Sequence, residues 1–201
     1  MPISSAPAPA VFLDKDGTLV ENVPYNVDPR LMRLTRRAAA GLRRLAEAGY
    51  RLVVVTNQSG VGRGLFAETA LSAVQRRLDE LILECGAVMA GFYYCPHHPE
   101  AVVEAYRGEC ECRKPSPGML LRAARELHLD LERSWLVGDI LDDISAGRRA
   151  LCRTVLLDNG HETEWNLSAE RRPDFYACDL AEAANCILAA EGLRTSLEAV
   201  R

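Results

Sequence analysis

The sequence predicts an α/β fold, a three-layer, doubly wound, mostly parallel sheet in a single domain. Three observations predict it. Short apolar and β-branched runs recur down the chain and are usually followed by a helical pattern, the alternation of a parallel sheet covered on both faces. The 201 residues are 48% hydrophobic and 26% charged, an ordinary globular composition. A chain of that size buries roughly 70% of its unfolded surface and needs no disulfide staples. The chemically distinctive polar residues fall just after the apolar runs, where open α/β sheets carry their sites.

The elements follow in order. Residues 1–9 of the Pro- and Ala-rich start, MPISSAPAPA, read as a disordered tail with neither the charged flank nor the apolar run of a secretory signal. Val11 to Leu13 is a first strand, ending on Asp14. Ala38, Leu42, Leu45 and Ala46 mark one face of a helix closed by Gly49. Leu52 to Val55 is a fully buried strand, and Leu71, Val74, Leu78, Leu81 and Ile82 repeat at helical spacing. Phe92 to Tyr94 is a short strand, and Pro117 suits the first turn of a helix through Leu127. Trp135 to Val137 leads into Gly138-Asp139, and Arg153 to Leu157 is a further strand. Phe175 to Cys178 and Asp179 to Ala190 supply a last strand and helix. One domain therefore spans 10–190, with a C-terminal tail over 191–201.

Composition narrows the function. The net charge of -4 and the lack of a Lys/Arg stripe argue against nucleic-acid binding. No stretch approaches the 18 apolar residues of a membrane span. Without an export signal the expected compartment is the reducing cytoplasm, so the seven Cys read as thiols or metal ligands. Of the 24 cationic side chains, 22 are Arg and two are Lys, Lys15 and Lys114.

Four strand ends carry unusual residues: Asp14-Lys15-Asp16-Gly17-Thr18, Thr56-Asn57-Gln58-Ser59, Cys95-Pro96-His97 and Gly138-Asp139. Asp14 and Asp16 place two carboxylates close together, an arrangement that a cation or a shared proton must relieve, although Asp and Gly also make ordinary turns. A calcium loop starting at Asp14 fails on register, with Leu19 at its glycine position and Tyr25 at its glutamate position. Gly60-Val61-Gly62-Arg63-Gly64 fails as a dinucleotide loop because Leu65 stands where the third glycine belongs. Lys114 precedes a helix in a chain that otherwise uses Arg, and a compact ammonium suits close contact with a phosphoryl or carboxylate group. Asp142 and Asp143 suit the first turn of a helix.

Cys95-x-His97, twelve residues, then Cys110-x-Cys112 brings three sulfurs and an imidazole into 18 residues, a plausible closed and therefore structural Cys₃His zinc set. His98 competes with His97, which repeats the one-residue gap of the second pair. Cys85, Cys152, Cys178 and Cys186 sit at apolar positions or element ends and read as small core hydrophobes.

Taken together, DxDGT at 14–18, Thr56-Asn57, Lys114 before a helix and GDxxxD at 138–143 resemble the four motifs of the haloacid dehalogenase superfamily. The resemblance implies that Asp14 is a nucleophile forming an aspartyl-phosphate and that Asp16 is a general acid and base. It also implies Mg²⁺ held by Asp14, the backbone carbonyl of Asp16 and Asp139, with Asp143 nearby. Thr56, the Asn57 amide and Lys114 would face the phosphoryl group. Thr18 to Thr35 is only flap-sized, so the enzyme looks capless.

The zinc loop over 95–112, in Y-Y-C-P-H-H-P and C-x-C-R-K-P-x-P-G-M-L, is similar to that of the D-glycero-D-manno-heptose-1,7-bisphosphate 7-phosphatase and histidinol-phosphatase family. That likeness implies a small anionic phosphorylated sugar as substrate, contacted by Asn22, Tyr25, Thr56, Asn57, Gln58, Ser59, Arg113 and Lys114. Arg113 could read a second phosphate. Two positions differ from the pattern: Ile140 replaces a frequent Lys, and the flap reads Asn22-Val23-Pro24-Tyr25. The expected protein is a monomer without nucleic-acid or membrane partners. Histidinol phosphatase activity and a non-catalytic zinc-stabilised scaffold are the alternatives.

Overall fold

In the computed structural model, residues 6–198 are described, with side chains for 6–192. Six strands run through it: β1 (Ala8–Leu13), β2 (Arg51–Asn57), β3 (Met89–Cys95), β4 (Leu129–Gly138), β5 (Arg153–Leu157) and β6 (Phe175–Ala177). The helices are α1 (Ala38–Glu47), α2 (Leu71–Glu84), α3 (Gly118–Leu127), α4 (Leu141–Arg149) and α5 (Leu180–Glu198). The strands form one sheet in the order β3-β2-β1-β4-β5-β6, and every pairing is parallel. The chain winds outward from β1 through β2 to β3, then returns to the other side of β1 at β4. Strand order therefore reverses between β1 and β4, which opens a crevice beyond their carboxyl ends.

The alternation of side chains along each strand builds the three layers. Val11, Leu13, Leu52, Val54, Trp135 and Val137 share a core with α1, α2 and α5 residues such as Leu42, Leu78 and Ile187. Ala10, Phe12, Val53, Val55 and Leu136 turn to the other face and pack on Met119, Leu120 and Ala123 of α3 and Ala146 beside them. With both faces covered, the central strands are apolar without alternation, which is why they are easily read from the sequence.

Several boundaries differ from expectation. β1 begins at Ala8, inside the segment assigned to a tail, and pairs Ala8 with Leu129 and Pro9 with Asp130. Pro9 cannot donate to the ladder, and the register shifts between Pro9 and Val11, so the strand's start is irregular and polar-looking. Residues 1–5 lie outside the described residues. β4 starts at Leu129 rather than Trp135, because its first half is largely solvent-facing and carries Asp130, Glu132 and Arg133. α5 continues through 191 to Glu198, so the expected tail begins as helix. Cys178 is exposed just past β6 and Cys186 is half-buried, whereas Cys85 and Cys152 are core residues as expected.

Between β1 and α1 no further domain intervenes. Glu21 N donates to Arg33 O and Thr35 N to Leu19 O, so the segment folds back on itself as a short flap with Leu19, Val20 and Met32 buried beneath it. Its outer turn, Glu21 to Tyr25, is exposed.

Gly41 sets how closely α1 meets α5. A Cβ there would lie 2.5 Å from the Leu180 carbonyl oxygen, a backbone atom that cannot swing aside. Gly41→Ala gains about 1 kcal/mol of helix propensity but overpacks a rigid contact at a cost of about 1–3 kcal/mol or more. The clash should win, with a net fall in the thermal midpoint of roughly 2–8 °C by calorimetry. An unchanged or raised midpoint would show that the two helices have room to separate.

Candidate active site

The crevice at the strand-order reversal collects carboxylates. Asp14 leaves β1, Asp139 leaves β4 and Asp143 lies one turn into α4. Their oxygens come within 4.8 Å of one another, and all three residues are buried. Lys114 is buried among them, with Nζ 2.5 Å from Asp14 Oδ1 and 2.6 Å from Asp143 Oδ1. It also donates to Val55 O at 3.0 Å. Three acceptors around one compact ammonium use all three of its protons, a geometry that a planar guanidinium could not reproduce. Burial pulls the Lys114 pKa down, but Asp14 and Asp143 overcome it and hold the amine charged, above its ordinary range.

The carboxylates remain under-compensated. Burial, then Asp14 and Asp143, push Asp139 up to about 8. Burial pushes Asp143 up to about 6 against the pull of Lys114. Three ionised carboxylates and one ammonium would sum to -2, from -3 and +1. The all-oxygen donor set and this residual charge fit a hard divalent cation. Asp143, whose place in a helix's first turn suggested capping, serves both ends: its Oδ2 accepts from Ile140 N at 3.3 Å. Asp142 stays at the surface and pairs with Arg171.

The Asp16 side chain is not part of this trio. Its Oδ1 lies 2.5 Å from Lys15 Nζ and its Oδ2 accepts from Gln58 Nε2 at 3.2 Å. Burial raises its pKa against the opposing pull of Lys15. Asp16 borders a cavity of about 300 Å³, together with Asn22, Tyr25, Asn57, Gln58 and Ser59. Thr56 is buried, and its hydroxyl oxygen accepts from Gln58 at 2.9 Å, which leaves the hydroxyl proton uncommitted. The Asn57 side chain turns toward the loop before α3. Its carboxamide exchanges two bonds with the Lys114 backbone, at 3.0 and 3.1 Å, and so braces the loop that carries the ammonium.

Two residues escaped the sequence reading. His161 Nδ1 lies 2.7 Å from Asp139 Oδ2, while Thr18 donates to Asp139 Oδ1 at 3.2 Å. Asn159 donates to Gly17 O at 2.8 Å. Both follow β5, and the strand-end signal extends to that loop. Gly17 is required here: φ is +86°, and a Cβ would fall 2.1 Å from Asp139 Oδ2.

The second cluster holds Cys95, His97, Cys110 and Cys112, whose ligand atoms all lie within 4.8 Å of one another. Cys112 Sγ is 3.1 Å from Cys95 Sγ and 3.4 Å from both Cys110 Sγ and His97 Nδ1. Tetrahedral zinc–sulfur bonds of ~2.3 Å imply ligand separations of ~3.8 Å, close to this spacing. The sulfur contacts of the cluster, that with Cys95 foremost, hold the Cys112 thiol down at about 5. His98 points elsewhere, within 2.9 Å of Arg63, which resolves the choice between the two histidines. Arg113 donates to His97 O at 3.3 Å, so the cluster and the Lys114 loop are tied directly. Tyr94 and Tyr106 both donate to Glu68, fastening the long loop to the turn before α2.

The chain resembles known phosphatases in sequence and in fold. Residues 111–183 match the model of the HAD-hydrolase-like family. The chain is 39% identical over 180 residues, 89% of this chain and 95% of the relative, to a D-glycero-beta-D-manno-heptose-1,7-bisphosphate 7-phosphatase of Photorhabdus laumondii. It is 41% identical over 149 residues, 74% of this chain and 78% of the relative, to the protein of that name in Escherichia coli K12. Among solved structures it resembles a putative HAD-like phosphatase from Mesorhizobium loti, with a TM-score of 0.80, 35% identity and coverage of 94% and 88% of the two chains. It also resembles a D,D-heptose 1,7-bisphosphate phosphatase from B. bronchiseptica complexed with magnesium and phosphate. There the TM-score is 0.74 at 30% identity, covering 90% of this chain and 99% of that one.

The raised Asp139 pKa carries a sign. A cation entering the trio must displace the proton that Asp139 holds below about pH 8, and metal binding releases protons. Apparent Mg²⁺ affinity should therefore rise between pH 6 and pH 8, by up to about tenfold per unit. Titration calorimetry in buffers of different ionisation enthalpy reads both the affinity and the proton release. An affinity independent of pH across this interval would contradict it.

Proposed function

The chain belongs to the haloacid dehalogenase-like hydrolases, in the family of the D-glycero-D-manno-heptose-1,7-bisphosphate 7-phosphatases, and from that premise we propose that it removes the 7-phosphate of D-glycero-D-manno-heptose 1,7-bisphosphate. The curated relatives are named for the β anomer, and we assign the same preference here. The observation that carries this reading is the buried trio of carboxylates around Lys114, with Asp16 set apart from it on the wall of the open cavity.

Asp14 is the nucleophile. Its carboxylate attacks phosphorus, the bond to the sugar oxygen breaks, and an aspartyl-phosphate forms on Asp14. Asp16, whose pKa is raised by burial, gives a proton to the departing oxygen and then takes one from the water that attacks the phosphorus. Lys114, buried and held charged, offsets the negative charge that builds where the phosphoryl group meets Asp14. Thr56 offers its free hydroxyl proton to a phosphoryl oxygen. Asp14, Asp139 and the backbone carbonyl of Asp16 would hold Mg²⁺, with Asp143 beside them. When bound, Mg²⁺ neutralises charge on the incoming phosphate and polarises a phosphoryl oxygen. Asn22, Tyr25, Gln58 and Ser59 border the sugar, and Arg113 serves the second phosphate with a fork-shaped donor. Asn57 acts by bracing Lys114.

Cys95, His97, Cys110 and Cys112 would hold zinc as a closed structural site. Only Arg113 separates Cys112 from Lys114, and it donates to His97 O, so the zinc set would fix where the phosphate-facing cation stands.

Two experiments test the reading. Phosphate release with Mg²⁺ should be fastest on the β-heptose bisphosphate, slower on the α anomer and slowest on histidinol phosphate. Asp14→Asn should lower turnover at least roughly a thousandfold. No release from any of them, nor from an aryl phosphate, would favour a scaffold. Separately, stripping both metals and returning only Mg²⁺ should leave little turnover, which zinc then restores. Full activity in the zinc-free, magnesium-loaded protein would sink the structural role of the cluster.

A further inference from the structure

Both lysines of this chain are buried at the same site. Lys114 is accounted for by Asp14 and Asp143. Lys15 is 1% exposed and, unlike the 22 arginines, stands between the two aspartates of the first motif. A buried ammonium is retained only against a partner that returns its lost hydration. That partner is Asp16 Oδ1, at 2.5 Å.

The main chain of Lys15 does the structural work of its position. Its carbonyl oxygen accepts from Leu19 N at 3.0 Å and from Val20 N at 2.9 Å, closing the turn after β1. Any residue could supply that carbonyl, so the ammonium is left to act on Asp16.

The Asp16 carboxylate is held unequally. Oδ1 has the short contact to Lys15, whereas Oδ2 has only the 3.2 Å contact from Gln58 Nε2, an amide that also donates to Thr56 at 2.9 Å. An oxygen that accepts closely from an ammonium is a poor seat for a further proton, so a proton on Asp16 sits on Oδ2. We propose that Lys15 is a positioning residue for proton transfer, pinning Asp16 Oδ1 so that Oδ2 delivers and recovers the proton. As the Asp14–phosphorus bond forms and the ester bond breaks, the Oδ2 proton passes to the leaving oxygen. As water attacks phosphorus and the Asp14–phosphorus bond breaks, one water proton returns to Oδ2.

The inference rests on Asp16 being the acid and base of the reaction, and its test is independent of which sugar is the substrate. In the zinc- and magnesium-loaded full chain, turnover of phenyl phosphate is compared with that of 4-nitrophenyl phosphate, whose leaving group needs little protonation. Lys15→Met should lose on the order of tenfold more on the phenyl ester, a fraction of what general acid catalysis supplies. Lys15→Arg should restore most of the difference. In an Asp16→Asn background, Lys15→Met should leave the ratio of the two esters unchanged, because the group it acts through is gone. If Lys15→Met does not fold, Lys15→Gln carries the same expectation. Equal losses on both esters, or an undiminished effect in the Asp16→Asn background, would overturn the proposal. An Asp16→Asn ratio like that of the unmodified enzyme would overturn both the proposal and the acid–base reading. A steeper Asp16→Asn ratio with an unaltered Lys15→Met ratio would remove Lys15 alone.

Discussion

The crowding of Asp14, Asp139 and Asp143 around one ammonium governs this structure. Like charges brought together out of water repel, and burial adds a solvation cost that a single cation cannot cancel. The fold accepts that cost where β1 and β4 end side by side, and the surroundings are arranged to contain it. Lys114 spends all three protons there, Asn57 braces the backbone that carries it, and Asp143 remains tied to the start of α4. Gly17 gives Asp139 and His161 the room to meet. Each of these contacts helps to hold an acidic cluster that one ammonium leaves under-compensated.

Connectivity explains why residues so distant in sequence meet. Asp14 and Lys114 are 100 positions apart, and Thr18 and Asp139 are 121 apart. A parallel sheet that winds outward and then restarts on the other side of its first strand brings all its strand ends to one edge. The loop that carries the Cys/His cluster leaves β3 at the far side of that edge and returns to the start of α3. Cys95 and His97 at its start meet Cys110 and Cys112 at its end, and Tyr106 between them is fastened to Glu68, which Tyr94 of β3 also meets.

Much of this was legible in the sequence, for reasons that differ by residue. Leu52 to Val55 and Leu71 to Ile82 were readable because burial on both faces, or on one stripe, leaves a pattern in composition. The meeting of Asp14 with Asp139 and of Cys95 and His97 with Cys110 and Cys112 was legible because acidic residues and thiols at such spacing stand out from the apolar runs. Where burial is partial, the pattern fades: the polar half of β4 and the proline-containing start of β1 pair in the sheet without looking like strands. The brace that the Asn57 carboxamide gives the Lys114 backbone depends on where one side chain turns and leaves no mark in the sequence. His161 lay hidden for another reason. An isolated histidine in a polar loop has no periodicity, and only the fold brings it to Asp139.

The flap between β1 and α1 has a consequence for the second half of the reaction. It is a few turns of chain over a cavity of about 300 Å³, and Tyr25 at its edge is half exposed. Enzymes with a hinged cap can shut solvent out, choose their substrate during closure and delay product release until reopening. Among the described residues there is no such moving domain here. Water is the second reactant of a phosphatase, and the cavity beneath the flap is open to it in this structure. In the proposed reaction, selectivity would then fall on contacts made as the sugar arrives, and a phosphorylated Asp14 would meet water as soon as the alcohol departs.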